Sequence, residues 1–140
     1  MSKKINEAFF ETYKSVDKIC CEKFGIEKFG VTEYILKLNK ARFAPMRDEV
    51  LPALVKYRNL RNSLAHDEGS LKEMGDITKA DIKWLKSFEK QLQKKKDPIS
   101  VYLRKAYRHR RLRKLRKILL ILLPIAAVAV AAYFVITYLL

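Results

Sequence analysis

Apolar residues recur three or four positions apart through most of residues 1–97, which is the spacing of one face of an α-helix. This periodicity predicts four amphipathic helices. Glycine and proline residues separate them, and no alternating apolar and polar stretch is bounded by hairpin turns. The pattern therefore predicts an all-α fold, a small four-helix bundle. The predicted helices cover about residues 5–24, 31–41, 47–66 and 78–92.

Local signals mark the ends of these helices. Gly25 interrupts the apolar stripe of the first helix. Thr78 followed by Asp81 has the spacing of a capping box, which predicts the start of the fourth helix. Between the third and fourth helices, Gly69 and Gly75 bound a predicted loop. Four helices of this length bury little apolar surface, so we expect the bundle to form a homodimer or a higher homo-oligomer.

The pattern changes at Ile118, where an uninterrupted apolar segment begins, ILLILLPIAAVAVAAYFVITYLL. It carries no charge, and as a helix rising ~1.5 Å per residue it is long enough to cross a hydrocarbon core of about 30 Å. The alternative is a buried helix of a soluble protein, but so small a domain has no interior to enclose a helix that is apolar all round. Residues 118–140 are therefore predicted to be one transmembrane helix and a C-terminal tail anchor.

Charge is distributed as unevenly as hydropathy. The chain has 140 residues, with 30 Lys and Arg against 15 Asp and Glu, and a formal net charge of +15. Residues 1–97 contain all 15 acidic residues and 21 of the basic ones, a net charge of +6. Residues 98–117, which we call the basic segment, contain the remaining basic residues and no acid. These residues are Arg104, Lys105, Arg108, Arg110, Arg111, Arg113, Lys114, Arg116 and Lys117.

The basic segment predicts the membrane topology. Positively charged flanks stay on the cytoplasmic side, so the chain is predicted to be a single-pass protein of the cytoplasmic membrane with its N-terminal domain in the cytoplasm. The same charges favour anionic membrane lipid, and they also attract RNA, since both partners are polyanions. Three parts are thus predicted: a helical domain (1–97), a basic stalk helix (98–117) and the membrane helix that continues it (118–140).

The third predicted helix carries charged groups on its apolar face. On a wheel of ~100° per residue with Leu51 at zero, the apolar arc includes Leu54 and Tyr57. Arg61 falls in the middle of this arc, at about 280°, and Arg58 lies within it too. A guanidinium in a core-facing stripe is either paired or functional. Its forked donors suit a phosphate group, so Arg61 and Arg58 are candidates for binding the RNA backbone.

Asn62 and His66 lie one helical turn apart at the edge of the same arc. His66 can give and take protons near neutral pH, and Asn62 can orient the imidazole or a ligand. Together with Arg61 they resemble the groups that cleave RNA without a metal: a base, an acid, and a cation that stabilises the phosphorane. One chain supplies one such histidine, and a symmetric dimer would supply the second.

Each of these residues also has a purely structural interpretation, which stays open. Arg61 can form an internal salt bridge with Glu49 or another acid. His66 can act as a cation near the C-terminus of its helix. The adjacent Cys20 and Cys21 indicate packing rather than a disulfide or a zinc site, and neither a metal nor a cofactor is predicted.

The segment Arg61-Asn62-Ser63-Leu64-Ala65-His66 resembles the R-x4-6-H signature of HEPN domains (higher eukaryotes and prokaryotes nucleotide-binding), which commonly carry Asn directly after the Arg. The resemblance covers about residues 5–95 and implies a small all-α bundle that dimerises. It also implies that Arg61, Asn62 and His66 are catalytic residues of a metal-independent endoribonuclease. Many HEPN domains act in toxin–antitoxin, abortive-infection and other defence systems, and others have lost catalysis and bind nucleotides or partners.

These features predict a membrane-tethered HEPN-type endoribonuclease, a toxin or phage-defence effector that cleaves RNA at a dimer-interface site and leaves 2′,3′-cyclic phosphate ends. An antitoxin or another regulatory protein partner would then control it. The alternative is a catalytically inactive helical adaptor that recruits a partner or nucleic acid to the cytoplasmic face of the membrane.

Overall fold

A computed structural model of the chain describes residues 2–66 and 77–139, and the side chains of residues 3–65 and 77–139. The described residues form four helices followed by one long helix, as the apolar periodicity predicts, and contain no β-strand. The predicted loop between Gly69 and Gly75 lies outside the described residues. The helices are α1 (Ser2–Phe24), α2 (Gly30–Lys40), α3 (Arg47–His66), α4 (Lys79–Gln93) and α5 (Pro98–Leu139).

Two predicted helix ends are confirmed, the end of the first helix before Gly25 and the start of the fourth after Thr78. α1 stops before Gly25, whose φ of 65° is a left-handed conformation that glycine adopts without strain. At the start of α4, the Thr78 hydroxyl accepts a hydrogen bond from the backbone N–H of Asp81. The Asp81 carboxylate accepts one in return from the backbone N–H of Thr78, 2.8 Å away, which completes the capping box.

α1 and α2 approach each other so closely that their backbones touch at Gly30. A Cβ atom at this position would lie 2.2 Å from the carbonyl oxygen of Asp17 and 2.6 Å from the backbone nitrogen of Cys21. The Asp17 carboxylate also accepts a hydrogen bond of 2.8 Å from the backbone N–H of Val31. The first turn of α2 is therefore attached directly to α1, and only glycine fits at the crossing.

The core of the bundle surrounds the fully buried ring of Tyr34 in α2. This ring meets Phe88 of α4 edge-on, with centroids 5.3 Å apart, and lies 6.0 Å from Phe24 of α1. The apolar periodicity of α1 predicts a buried stripe of Ile5, Ala8, Phe9, Tyr13, Val16, Ile19, Cys20 and Phe24. Ala8 is exposed, because it lies about 100° around the helix from the buried Phe9, and the others are buried or half-buried.

A charged residue, Asp97, is fully buried at the start of α5. Its carboxylate accepts hydrogen bonds from the Tyr34 hydroxyl at 2.8 Å, from Lys23 Nζ at 3.1 Å and from the backbone N–H of Ser100 at 3.2 Å. Burial raises the pKa of Asp97, but the hydrogen bonds from Ser100 and Tyr34 and the charge of Lys23 outweigh it, so the pKa lies below its ordinary value. No local sequence signal marks this cluster, because Lys23 and Tyr34 lie on two other helices.

The chain divides into two compact units, Met1–Tyr102 and Leu103–Leu140. The first contains the bundle and the beginning of α5, where Ile99 is buried. The second consists of the rest of α5, whose side chains are almost all exposed through residue 139. By length and composition α5 contains a segment that could cross a membrane, and none of that segment is buried. The predicted divisions after residues 97 and 117 stay predictions.

Candidate functional site

A groove of about 760 Å³ opens to solvent between α1, the α1–α2 connection and α3. We call it the arginine groove. Four consecutive or nearly consecutive polar residues of α3 line one wall: Arg58, Asn59, Arg61 and Asn62. Their spacing places them on one side of the helix, so a short stretch of sequence supplies the whole wall.

The buried face of α3 differs slightly from the predicted one. On the same wheel Ala65 falls on the predicted apolar arc, at about 320°, yet it is exposed, whereas Leu60, at about 180°, is buried at 2% exposure. Arg58 and Arg61 are half-buried, and Arg61 lies between the buried Tyr57 and Leu54 on the wheel.

Arg61 is held by an aromatic ring and an amide. Its guanidinium carbon lies 5.9 Å from the centroid of the Phe10 ring, and its Nη1 donates a hydrogen bond of 3.2 Å to Oδ1 of Asn62. The alternative ion pair with Glu49 is not formed, and no ion pair among the described side chains includes Arg61. Both its neighbours are neutral, so the cation is left to interact with a ligand.

Arg58 is arranged in the same way. Its Nη2 donates a hydrogen bond of 3.4 Å to Oδ1 of Asn59, and it too has no carboxylate partner within residues 3–65 and 77–139. Two guanidinium groups that line one groove, neither of them in an ion pair among the described side chains, offer forked donors to an anion such as phosphate.

Tyr13 also lines the arginine groove. Burial and the nearby Asp17 carboxylate raise the pKa of its phenol, while the charges of Arg61 and Arg58 lower it, with a net increase. The phenol therefore stays neutral at physiological pH.

The other walls come mainly from α1 and the α1–α2 connection, and none of their residues was predicted from the sequence as a site residue. Two lysines and two acids line the groove there, namely Lys14, Lys28, Asp17 and Glu27. With the two arginines, the groove therefore has four basic and two acidic groups. Phe29 adds an aromatic ring that is 70% exposed, at a residue with a φ of 61°. Its position between glycines in GIEKFG, as an apolar residue in a polar turn, is the signal that could have found it.

The structure brings three of the predicted site residues together and leaves the fourth as a prediction. Arg58, Arg61 and Asn62 line the same groove. His66 is the last residue of α3, and its side chain lies outside the described residues, so its catalytic role stays a prediction. The predicted membrane-flanking residues of the basic segment, including Arg108 and Lys117, are exposed on the second unit.

The described side chains around the groove and elsewhere form no candidate metal centre. Within the described part of the chain, no group of three or more His, Cys, Asp or Glu side chains could hold a metal ion. Cys20 and Cys21 are both buried with free thiols. Burial, followed by the charge of Asp17, raises the pKa of each thiol, so neither is a reactive thiolate.

A family model matches residues 7–118, which is most of the chain, and it describes a family of unknown function (DUF6548). The chain belongs to this family. The DUF6548 match includes the whole arginine groove and the basic segment, and it ends where the apolar segment begins. No curated protein and no solved structure matches the chain.

Proposed function

We propose that this protein is a membrane-anchored, HEPN-type endoribonuclease that binds and cleaves RNA at the arginine groove without a metal, as a toxin or phage-defence effector. The observation that carries the proposal is the pair of guanidinium groups, Arg58 and Arg61, which face an open groove without carboxylate partners. A buried structural arginine would be paired, whereas an arginine that binds phosphate is left accessible.

The groove suits a nucleic acid better than a small anion, because it also carries aromatic rings. Phe10 and Phe29 line it together with the arginines, and Phe29 is largely exposed. Unpaired RNA bases stack on such rings while guanidinium groups hold the backbone phosphates. A single-stranded segment laid along the groove would use both kinds of contact.

The proposed reaction uses the residues that follow the arginines in α3. A histidine takes the proton of the ribose 2′-hydroxyl, whose oxygen attacks the adjacent phosphorus. Arg61 stabilises the negative charge of the phosphorane, and a second histidine protonates the departing 5′-oxygen. The products are a 2′,3′-cyclic phosphate and a 5′-hydroxyl end. His66 supplies the histidine of each subunit in a homodimer, and Asn62 orients the Arg61 guanidinium to which it is hydrogen-bonded.

The apolar part of α5 is the proposed membrane anchor. It is long and apolar enough to cross a bilayer, and the exposed basic residues that precede it would keep the bundle on the cytoplasmic side. Anionic lipid would lie against these residues. A ribonuclease in the cytoplasm needs control, so an antitoxin or another regulatory protein is part of the proposal.

The experiment is RNA cleavage by the full-length protein in detergent, with EDTA present throughout. His66→Ala is expected to lower the cleavage rate by about 10²-fold or more, because a general acid–base group is lost. Arg61→Ala is expected to lower it by about 10²-fold, because a donor to the developing charge is lost. The matched control is Arg42→Ala, which removes an exposed arginine that does not line the groove.

Equal cleavage by the wild type and His66→Ala would contradict the enzymatic proposal. RNA binding that depends on Arg58 and Arg61 but is never followed by cleavage would instead support the catalytically inactive adaptor. Mapping the product ends provides an independent check, since a hydrolytic nuclease leaves no 2′,3′-cyclic phosphate.

A further inference from the structure

The connection between α2 and α3, residues 41–46, is a firmly held turn. The backbone N–H of Ala44 donates to the carbonyl of Ala41, and that of Arg42 donates to the carbonyl of Lys40, both at 3.0 Å. Ala41 and Ala44 are both buried at 7% exposure. We call these residues the α2–α3 turn.

Arg47, the first residue of α3, connects this turn to the end of α2 through side-chain hydrogen bonds. Its Nε donates to the carbonyl oxygen of Leu38 at 3.3 Å, and its Nη2 donates to Oδ1 of Asn39 at 3.1 Å. These contacts satisfy groups in the last turn of α2 with a side chain from the first turn of α3. The two helix ends are joined, so the conformation of the turn is set on both sides.

This conformation directs an aromatic ring into solvent. Phe43 is 89% exposed, and Met46 beside it is 46% exposed. Single exposed apolar residues are common on protein surfaces. Here the exposed ring lies in a turn that is held by backbone hydrogen bonds and by the buried Ala41 and Ala44, so the turn presents an apolar tip to solvent.

Two exposed basic residues, Lys40 and Arg42, come just before or within this tip, and two exposed acids, Asp48 and Glu49, follow it. Lys40 and Arg42 are exposed and form no ion pair among the described side chains, and residues 36–47 contain no acid. The other two basic residues of this stretch are partly neutralised, Lys37 by Glu33 and Arg47 by Asp48. An apolar tip with uncompensated cations beside it is complementary to an anionic bilayer surface, which offers phosphate groups outside and hydrocarbon beneath.

We propose that the α2–α3 turn is a second membrane contact, in which Phe43 enters the interface and Lys40 and Arg42 bind anionic lipid headgroups. The inference rests on the proposed membrane anchor, because a bundle tethered to a bilayer meets lipid at a higher effective concentration than a free one. A contact that is too weak to hold the untethered protein on a membrane can therefore form in the tethered protein.

The test uses the full chain reconstituted into vesicles of phosphatidylcholine with or without phosphatidylglycerol, containing brominated acyl chains. Phe43→Trp places a fluorophore at the tip, and the wild type, whose single tryptophan is Trp84, gives the baseline. We expect the added fluorescence to be quenched by bromine in anionic vesicles and much less in neutral ones. Phe29→Trp is the matched control, an exposed aromatic in the arginine groove, and its added fluorescence should stay unquenched.

Charge reversal provides the second readout. Lys40→Glu combined with Arg42→Glu in the Phe43→Trp chain should abolish the quenching by brominated lipid and expose the fluorophore to aqueous iodide. Quenching that is unchanged by the charge reversal, or that is equal at positions 43 and 29, would overturn the proposal. A fluorophore shielded from both iodide and bromine would also overturn it, because a protein surface such as a second copy then covers the turn.

Flotation of the vesicles after an alkaline wash separates this inference from the proposed anchor. If the Phe43→Trp chain floats with the vesicles but its added fluorescence is still quenched by aqueous iodide, the proposed docking of the turn is wrong and the proposed anchor stands. A chain that does not float overturns the anchor, and the docking that depends on it.

Discussion

The guanidinium of Arg61 in α3 lies over the ring of Phe10 in α1, with 5.9 Å between its central carbon and the ring centroid. This contact positions a cation at the wall of a groove without neutralising it, because an aromatic face attracts a guanidinium but has no net charge. A carboxylate partner, in contrast, would neutralise the guanidinium and compete with phosphate for its donors. The choice of partner therefore keeps the arginine available for an anionic ligand.

Removing either arginine of the groove is expected to weaken RNA binding and its dependence on salt. For Arg58→Ala or Arg61→Ala, the slope of the logarithm of affinity against the logarithm of salt concentration should fall by roughly 0.7 to 1, as one phosphate contact is lost. Fluorescence anisotropy of labelled single-stranded RNA across a salt series measures both quantities. Arg42→Ala serves as the control, and an equal decrease in that variant would show that net charge alone determines binding.

Gly30→Ala is expected to destabilise the bundle by about 1–3 kcal/mol, the range for overpacking a well-packed contact. The added methyl group would meet backbone atoms of Asp17 and Cys21, which cannot move away as a flexible side chain can. Urea unfolding in detergent, followed by the fluorescence of Trp84, gives the free energy of unfolding.

Gly25→Ala is the control for Gly30→Ala. No atom lies within 4 Å of the added methyl group, so the cost is only that of a left-handed alanine, about 1 kcal/mol. A larger effect at Gly25 than at Gly30 would show that backbone conformation, rather than the contact between α1 and α2, dominates.

Asp81 is expected to make the bundle less stable at acidic pH than near neutral pH. Burial raises its pKa, but hydrogen bonds from Lys56 and Thr78 outweigh this and lower the pKa from its ordinary 3.8 to about 2. A carboxylate with a lowered folded-state pKa stabilises the protein above its unfolded pKa and loses this effect as the pH falls toward 2. The contribution is about 1–2 kcal/mol, reduced by the solvent around the half-exposed Lys56.

The measurement for Asp81 compares urea unfolding of the wild type and Asp81→Asn at about pH 6 and about pH 3. The wild type should be the more stable protein at the higher pH, and the difference should shrink at the lower pH. Because Asp97 titrates in both proteins, its contribution cancels in this comparison. A difference that grows on acidification would show that the Asp81 carboxylate is not held in its charged form.

Tyr34→Phe is expected to cost about 1–2 kcal/mol of stability, because a hydrogen bond to the buried Asp97 carboxylate is lost. The hydroxyl also accepts from the backbone N–H of Ile99 at 3.4 Å, which would lose its partner. The control is Tyr13→Phe, since the Tyr13 hydroxyl makes no hydrogen bond within the described part of the chain. Equal unfolding free energies for the two variants would contradict the role assigned to Tyr34.

Much of the fold could be predicted because helices are specified locally. The third helix begins and ends at the predicted residues 47 and 66, and the Thr78–Asp81 capping box forms as its spacing indicates. Both signals depend on side chains within one or two turns of each other. The apolar segment was equally visible, because its length and lack of charge need no knowledge of neighbouring helices.

The candidate site could be predicted only in part. Arg58, Arg61 and Asn62 were found because they share one helix and one unusual position on its wheel. Phe10 was missed because it is an ordinary apolar residue until α1 is folded against α3. Phe29 is an apolar residue in a polar turn, but only the packing of the α1–α2 connection places it in the groove. Asp97 was missed for the same reason, since its partners Lys23 and Tyr34 lie on two other helices.

By itself, the sequence determined where the helices lie, where they end and which segment is apolar enough for a membrane, since these depend on neighbours along the chain. Only the tertiary structure decided which face of α3 is buried, which rings line the groove beside its arginines, and that Phe43 remains outside the core. Those outcomes depend on how helices distant in sequence pack together, because each helix offers several faces and its neighbours select among them.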